Sequence, residues 1–438
     1  MYLADINMDR GNYTSSKLEK AINRSRSMIT VFMEQKGIPG MSIAVGIDGQ
    51  KVWEEGFGYA DVENQTRMTE DSLLATGSVS KLLTTLAVAR LMDQGKLDID
   101  KPIQEYLPNF PVKKWNEQEV TMTTRHLLTH TSGFRHYRKM SEYEILSQTP
   151  DGLSELPEAF VDAYRYCKSI AGRLSPEFYV RKKYQTTSEV LELFQDDPIS
   201  FKPGSRFQYS SKGWIVLSAV IESIVETSFI EYMTNLLEQL GFESTVPASN
   251  ETILPHRARC YFRDKKGNLM NAPYVDRSWK IASGGYMSNV RDMLHLADVM
   301  IESCFSSPDK EHRKSFFKSE TIRHLWTPYN DVLSSSGLHG LGCISYKETV
   351  LRGDSLRPIH HVLHTGRGVG IGAVVHIAME DEDLTIDGNV ISTKPYGTGH
   401  IQNKSFRGVT AAILVNLEFI DLQDISSEII SLFREVLH

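Results

Sequence analysis

Strand-like patterning occurs at the two ends of this chain and hardly at all between them, and that distribution limits the possible folds more than any other property of the sequence. Near the start, residues 41–47 (MSIAVGI) and 51–59 (KVWEEGFGY) are short apolar runs flanking Asp48-Gly49. An Asp-Gly pair there marks a tight hairpin, because both central turn residues need positive φ. Comparable runs return only at 340–346, 369–378 and 408–415, with a polar loop at 380–403 before the last. Strands so far apart, with mostly helical sequence between them, predict an α+β fold in which one antiparallel sheet is built from both termini around a helical insert. Residues 16–35 carry Ile22, Met28, Ile29, Val31 and Phe32 among charges, an amphipathic helix closed by Gly37-Ile38-Pro39-Gly40. Residues 81–94 repeat apolar side chains at helical spacing up to the stop at Gly95, and 425–437 reads as a closing amphipathic helix. The expected division is a sheet lobe from 1–100 with 275–438, and a mostly helical lobe at 101–274 with a charged insertion near 138–183.

Composition narrows the class of function. The chain has 438 residues, 48 Lys+Arg against 55 Asp+Glu, and no long basic run, which argues against nucleic acid or anionic lipid as the main partner. Four cysteines without Cys-x-x-Cys spacing exclude a disulfide scaffold and a structural zinc module. No stretch approaches the ~18 apolar residues of a membrane-spanning helix, so no integral membrane segment is expected. The N-terminal stretch MYLADINMDRGNYTSSKLEK has no apolar signal region and includes Asp5 and Asp9. It reads as neither a secretory signal nor an organelle presequence, which leaves a cytosolic location open.

Three segments carry residue types suited to chemistry. Ser78 and Lys81 are one helical turn apart where an apolar helix opens, so the two side chains can meet at its N-terminus. A desolvated lysine can take a serine hydroxyl proton, and the helix end favours an oxyanion. The plainer alternative is that Ser78 or Ser80 caps the helix and Lys81 is solvated; Ser307/Lys310 and Ser315/Lys318 share the spacing. Next, Pro203-Gly204 leads into Tyr209-Ser210-Ser211 and then a helix, so Tyr209 and Ser211 can be presented together. A tyrosine near a lysine cation can become phenolate-like; a core-edge ring beside a helix cap is the alternative. Third, His360-His361-Val362-Leu363-His364-Thr365-Gly366-Arg367 precedes Gly368-Val369-Gly370-Ile371-Gly372, read as a glycine-rich strand whose backbone a ligand can approach. The amide of Arg367 could then point at a carbonyl oxygen beside that of Ser78. A dinucleotide loop does not fit this run, and neither the three histidines nor His126 with His130 has a carboxylate placed for metal.

Ser-x-x-Lys, Tyr-x-Ser and His-Thr-Gly, in this order and at these separations, resemble the serine beta-lactamase and penicillin-binding-protein superfamily. TTRHLLTHTSGF (123–134), FKPGSRFQYSSKGW (201–214) and ASGGYMSNVRDM (282–293) resemble segments of the class C beta-lactamases and their esterase relatives. GYADVEN, SGFRHY, FQDDP, APYVDRS and HTGRGVG are similar to a narrower group, the serine beta-lactamase-like proteins of animal mitochondria. The resemblance implies a beta-lactamase/transpeptidase-like fold, an antiparallel sheet flanked by helices plus an all-helical lobe. It implies Ser78 as acyl-accepting nucleophile, Lys81 as base and Tyr209 as proton relay. His364 takes the place of the lysine in Lys-Thr-Gly, next to Thr365 and Gly366, and the amides of Ser78 and Arg367 form an oxyanion hole. No cofactor or metal is implied. The implied partners are a peptide or small acyl substrate and further copies of the chain, as a homo-oligomer or filament, with a mitochondrial place and a link to lipid metabolism. Two departures weaken antibiotic hydrolysis: Ser211 replaces an asparagine, and His364, whose charge should vary near neutral pH, replaces a lysine.

Overall fold

The hairpin expected at Asp48-Gly49 forms. Strands β1 (Gly40–Ile47) and β2 (Gln50–Asp61) pair antiparallel, with Asp48 and Gly49 at φ of 50° and 73°. The computed structural model describes residues 15–136, 177, 179–264, 266–305, 316–334, 337–352, 355–380 and 406–438. In it, β3 (Thr66–Arg67), β4 (Tyr329–Ser334), β5 (Gly337–His339), β6 (Ile344–Arg352), β7 (Ser355–Gly368), β8 (Ile371–Glu380) and β9 (Gly408–Val415) complete one nine-stranded antiparallel sheet. Its order is β4-β5-β6-β7-β8-β9-β1-β2-β3, so β9 from the end of the chain lies beside β1 from its beginning. Every residue of β1 and β9 is buried. That is why both read as continuous apolar runs rather than alternating ones: layers cover the two faces of the sheet.

One face is covered by helix α1 (Ser15–Lys36) and the closing helix of the chain. The stacked rings of Trp53 on β2 and Phe433 on that closing helix, 5.8 Å apart, mark this contact. Such a side chain fully withdrawn from water contributes about 1.5–3 kcal/mol. Against the other face lies the larger core, organised by α2 (Ser80–Asp93), α3 (Lys212–Val225) and α4 (Val290–Phe305); the closing helix is α5 (Gln423–Arg434). Eleven of the fourteen residues of α2 are buried, so this helix has no solvent side on which Lys81 could be hydrated.

Two sequence readings need correction. The run 368–372 is not a strand approached by a ligand: Gly368 pairs with Ile371 around the β7–β8 turn, with Gly370 at φ 74°. The His-Thr-Gly segment itself is the end of a long strand, β7, which the sequence reading left without secondary structure. The expectation for the 138–183 insertion and the 380–403 loop falls mostly outside the described residues. Small hairpins at Lys113–Trp115 with Gln118–Val120 and Tyr261–Arg263 with Leu269–Asn271 interrupt the region expected to be helical and irregular. Among the described residues no single helix is long and apolar enough to cross a membrane.

Candidate active site

Ser78 occupies a single 3-10 turn, Gly77–Val79, immediately ahead of α2. The two serines flanking Val79 have different surroundings. Ser80 is fully buried and ties the turn to the neighbouring strand segment: its Oγ accepts the Tyr286 amide at 3.2 Å and lies 2.9 Å from Thr76 Oγ1. Ser78 is only half-buried, and neither hydroxyl caps the helix. Of the two, Ser78 is the one whose hydroxyl reaches the more exposed side of the turn.

Two side chains converge on it. Lys81 Nζ lies 3.3 Å from Ser78 Oγ and donates to the Ser283 carbonyl at 2.9 Å. Tyr209 donates its hydroxyl to Ser78 Oγ at 2.7 Å, and Lys81 Nζ sits 4.8 Å from the centre of the Tyr209 ring. Burial, reinforced by the nearby Lys280 ammonium, pushes Lys81 well below the ordinary lysine value. Burial moves Tyr209 the other way, above the usual phenol range, against the opposing effect of its bond to Ser78. The phenolate expected beside a lysine cation is thus disfavoured on both counts. The geometry brings a lysine whose protonation is disfavoured and a protonated phenol onto one serine hydroxyl.

The backbone of β7 closes the opposite side. A Cβ built on Gly366 would stand 2.1 Å from the Thr76 carbonyl oxygen and 3.1 Å from the Ser78 amide nitrogen, and one on Gly77 would stand 3.1 Å from the Arg367 amide nitrogen. Glycine at both positions lets the strand end and the 3-10 turn touch, which puts the Ser78 and Arg367 amides beside one another, as an oxyanion hole requires. The Arg367 side chain leaves the site: it is exposed and ion-paired with Asp421. Thr365 is half-buried, and its carbonyl accepts a 2.8 Å bond from His364 Nδ1.

His364 departs from expectation. It is buried, and desolvation together with Lys81 pushes it down to about 3, so near neutral pH it is an uncharged imidazole rather than a group of variable charge. Strand alternation also puts one of the three histidines weighed as metal ligands, His361, on the opposite face from the other two. His361 faces α5 through His376, which bonds Ser426 at 3.0 Å, whereas His364 faces Lys81 on the other side of the sheet. Ser211 is buried directly ahead of α3, where its side chain makes no cap.

Several residues important to the arrangement were missed in the sequence. His130, weighed only as a metal ligand, stacks on Tyr209 with ring centres 4.4 Å apart, and its Nδ1 accepts the Ser210 amide at 3.2 Å. It is held at φ 57°, an uncommon conformation for a side chain of this size. His136 meets the same ring edge-on at 5.2 Å. Behind them, buried Lys212 bonds Asp197 at 2.9 Å, and Arg135 pairs with Asp197 and Glu177, clamping the start of α3 and with it the Tyr209 loop. The TTRHLLTHTSGF segment was the one sequence signal that pointed to His130.

The Beta-lactamase family model matches residues 26–419. The chain belongs to the beta-lactamase family. Among its relatives, the human mitochondrial serine beta-lactamase-like protein LACTB is 32% identical over 94% of this chain and 79% of its own length, and the mouse protein 31% over 94% and 80%. Among solved structures, the octameric penicillin-binding protein homologue from Pyrococcus abyssi superposes with a TM-score of 0.66 at 23% identity, covering 94% of this chain and 77% of that one. EstCE1, a hydrolase with promiscuous acyltransferase activity, gives 0.63 at 17% identity over 96% and 98%. These likenesses show the beta-lactamase/penicillin-binding-protein-like fold, an α+β architecture with a large antiparallel sheet.

Proposed function

We propose that the chain is a serine hydrolase that works through an acyl-enzyme on Ser78, and that its substrates are peptides or other amides. The observation that carries this reading is the position of Ser78 Oγ between Lys81 Nζ at 3.3 Å and the Tyr209 hydroxyl at 2.7 Å. Neutral Lys81 takes the serine proton as Oγ bonds to the carbonyl carbon. The oxyanion that forms is held by the Ser78 and Arg367 amides. Tyr209 gives its proton to the departing amine as the C–N bond breaks, and Lys81 returns a proton to Tyr209. Water then attacks the ester by the reverse route, releasing the acid and restoring Ser78.

An uncharged His364 supports amides over beta-lactam antibiotics, because it supplies no dependable cation for a drug carboxylate. A mitochondrial place and assembly into a homo-oligomer or filament belong to the same proposal. The first is supported by the mitochondrial relatives, the second by the octameric homologue. A panel of amino-acid and peptide p-nitroanilides, p-nitrophenyl esters and benzylpenicillin tests the substrate class. Turnover of anilides that Ser78→Ala abolishes is expected. Turnover confined to esters, or to benzylpenicillin, overturns the amide assignment.

A further inference from the structure

The phenol that meets Ser78 belongs to a loop, and at Tyr209 that loop is held by one residue from another segment. His130 stands just past the short helix Thr124–Leu128, at φ 57°, and is 2% exposed. Its carbonyl accepts the Gln208 amide at 2.8 Å, and its ring Nδ1 accepts the Ser210 amide at 3.2 Å. The two bonds fall on either side of Tyr209, so the backbone is fixed immediately before and immediately after that residue. Between them the imidazole lies against the phenol ring, with centres 4.4 Å and planes 30° apart. Backbone bonds from the Gly204 amide to Thr131 and from the Ser200 amide to Gly133, both 2.8 Å, extend the same junction back along the loop.

This arrangement asks more of His130 than filling space. A residue other than glycine seldom takes positive φ, and here that conformation coincides with a carbonyl and a ring that meet the same loop. Nδ1 can accept the Ser210 amide only in the neutral ring, with the remaining proton on Nε2. Burial holds the imidazole in that neutral state. The rings of Phe207, Trp214 and His339 pack around it at 5.7, 6.1 and 6.1 Å, so the residue that holds Tyr209 is itself held.

We propose that His130 is a positioning residue for the proton donor: it brackets Tyr209 on both sides and stacks on its ring, and so keeps the phenol at Ser78 Oγ, 2.7 Å away. This rests on the assignment of Ser78 as nucleophile and Tyr209 as proton donor. His130 acts through Tyr209 and transfers no proton itself. Its loss is therefore felt where the leaving group needs a proton, as an amine does. It is felt far less where the leaving group departs as an anion, as fluoride does from a fluorophosphonate.

The test compares p-nitroanilide turnover with the rate of Ser78 labelling by a fluorophosphonate, using the full chain as wild type, His130→Phe and His130→Asn. Phenylalanine keeps a ring against Tyr209 but gives the Ser210 amide no acceptor. Asparagine places an oxygen as many bonds from Cα as Nδ1 is, and it tolerates positive φ. A misplacement of about 1 Å can cost about 10²-fold in rate, so the Phe variant should lose about 10–10²-fold in anilide kcat with KM little changed, and much less in labelling. The Asn variant should recover most of that loss. In a Tyr209→Phe background, His130→Phe should cost less than about threefold, because no phenol is left to position. Anilide turnover equal to wild type in the Phe variant overturns the proposal. So does an equal loss of turnover and labelling, a loss that Asn does not recover, or a full loss repeated in the Tyr209→Phe background. Circular dichroism checks the fold, and His130→Leu replaces Phe if Phe does not fold. Absence of Ser78-dependent anilide turnover in wild type defeats the underlying assignment and the proposal with it, whereas normal wild-type turnover with an unmoved Phe variant defeats only the role of His130.

Discussion

Replacing His364 by asparagine should make the protein more resistant to acid, by an amount that follows from the environment of the side chain. His364 is buried and held down to about 3, whereas the unfolded chain offers it the ordinary value of 6.5. Between those limits the unfolded state binds the proton and the folded state does not, so folding stability falls as pH drops through that window. At pH 5 the ordinary value lies 1.5 pH units above ambient, and about 1.4 kcal/mol per unit gives a loss of about 2 kcal/mol from this one residue. Asparagine does not titrate, and its amide can still donate to the Thr365 carbonyl that His364 Nδ1 contacts at 2.8 Å. Urea unfolding of wild type and His364→Asn at pH 7 and pH 5 measures the effect. The variant should gain about 2 kcal/mol on wild type between the two conditions. Parallel pH dependence would refute the reasoning, and a variant that loses ground in acid would mean that His364 is a stabilised cation, as the lysine of Lys-Thr-Gly would be.

Two further outcomes follow from the site. Tyr209→Phe removes the 2.7 Å bond to Ser78 while keeping the ring against His130, so anilide turnover should fall about 10²–10⁴-fold with little change in melting temperature; unchanged turnover would remove Tyr209 from the proton path. Gly366→Ala forces a methyl to within 2.1 Å of the Thr76 carbonyl, so labelling of Ser78 and the melting temperature should both drop, and a variant matching wild type in both would mean that strand β7 does not press on the 3-10 turn.

What could be read from sequence depended on how local the cause was. The β1–β2 hairpin was legible because Asp48-Gly49 states its own turn, and β9 because a strand covered on both faces is apolar throughout. Strand β7 was not, because its polar residues are set by what each face meets: His361 by His376 beneath α5, His364 by Lys81, and Gly366 by the turn that holds Ser78. Ser78 and Lys81 stood out because their spacing falls where an apolar helix opens, whereas the part played by Ser80 is set by Tyr286, more than 200 residues away, whose amide it accepts. His130 on Tyr209 is a purely tertiary pairing, which spacing in the chain does not announce.

The most direct test of the central claim is intact-protein mass spectrometry after a fluorophosphonate or slowly hydrolysed acyl probe. Wild type should gain a single adduct, mapped by peptide sequencing to Ser78, and Ser78→Ala should gain none. An adduct on another residue, or equal labelling of the two proteins, would contradict the assignment of Ser78 as nucleophile.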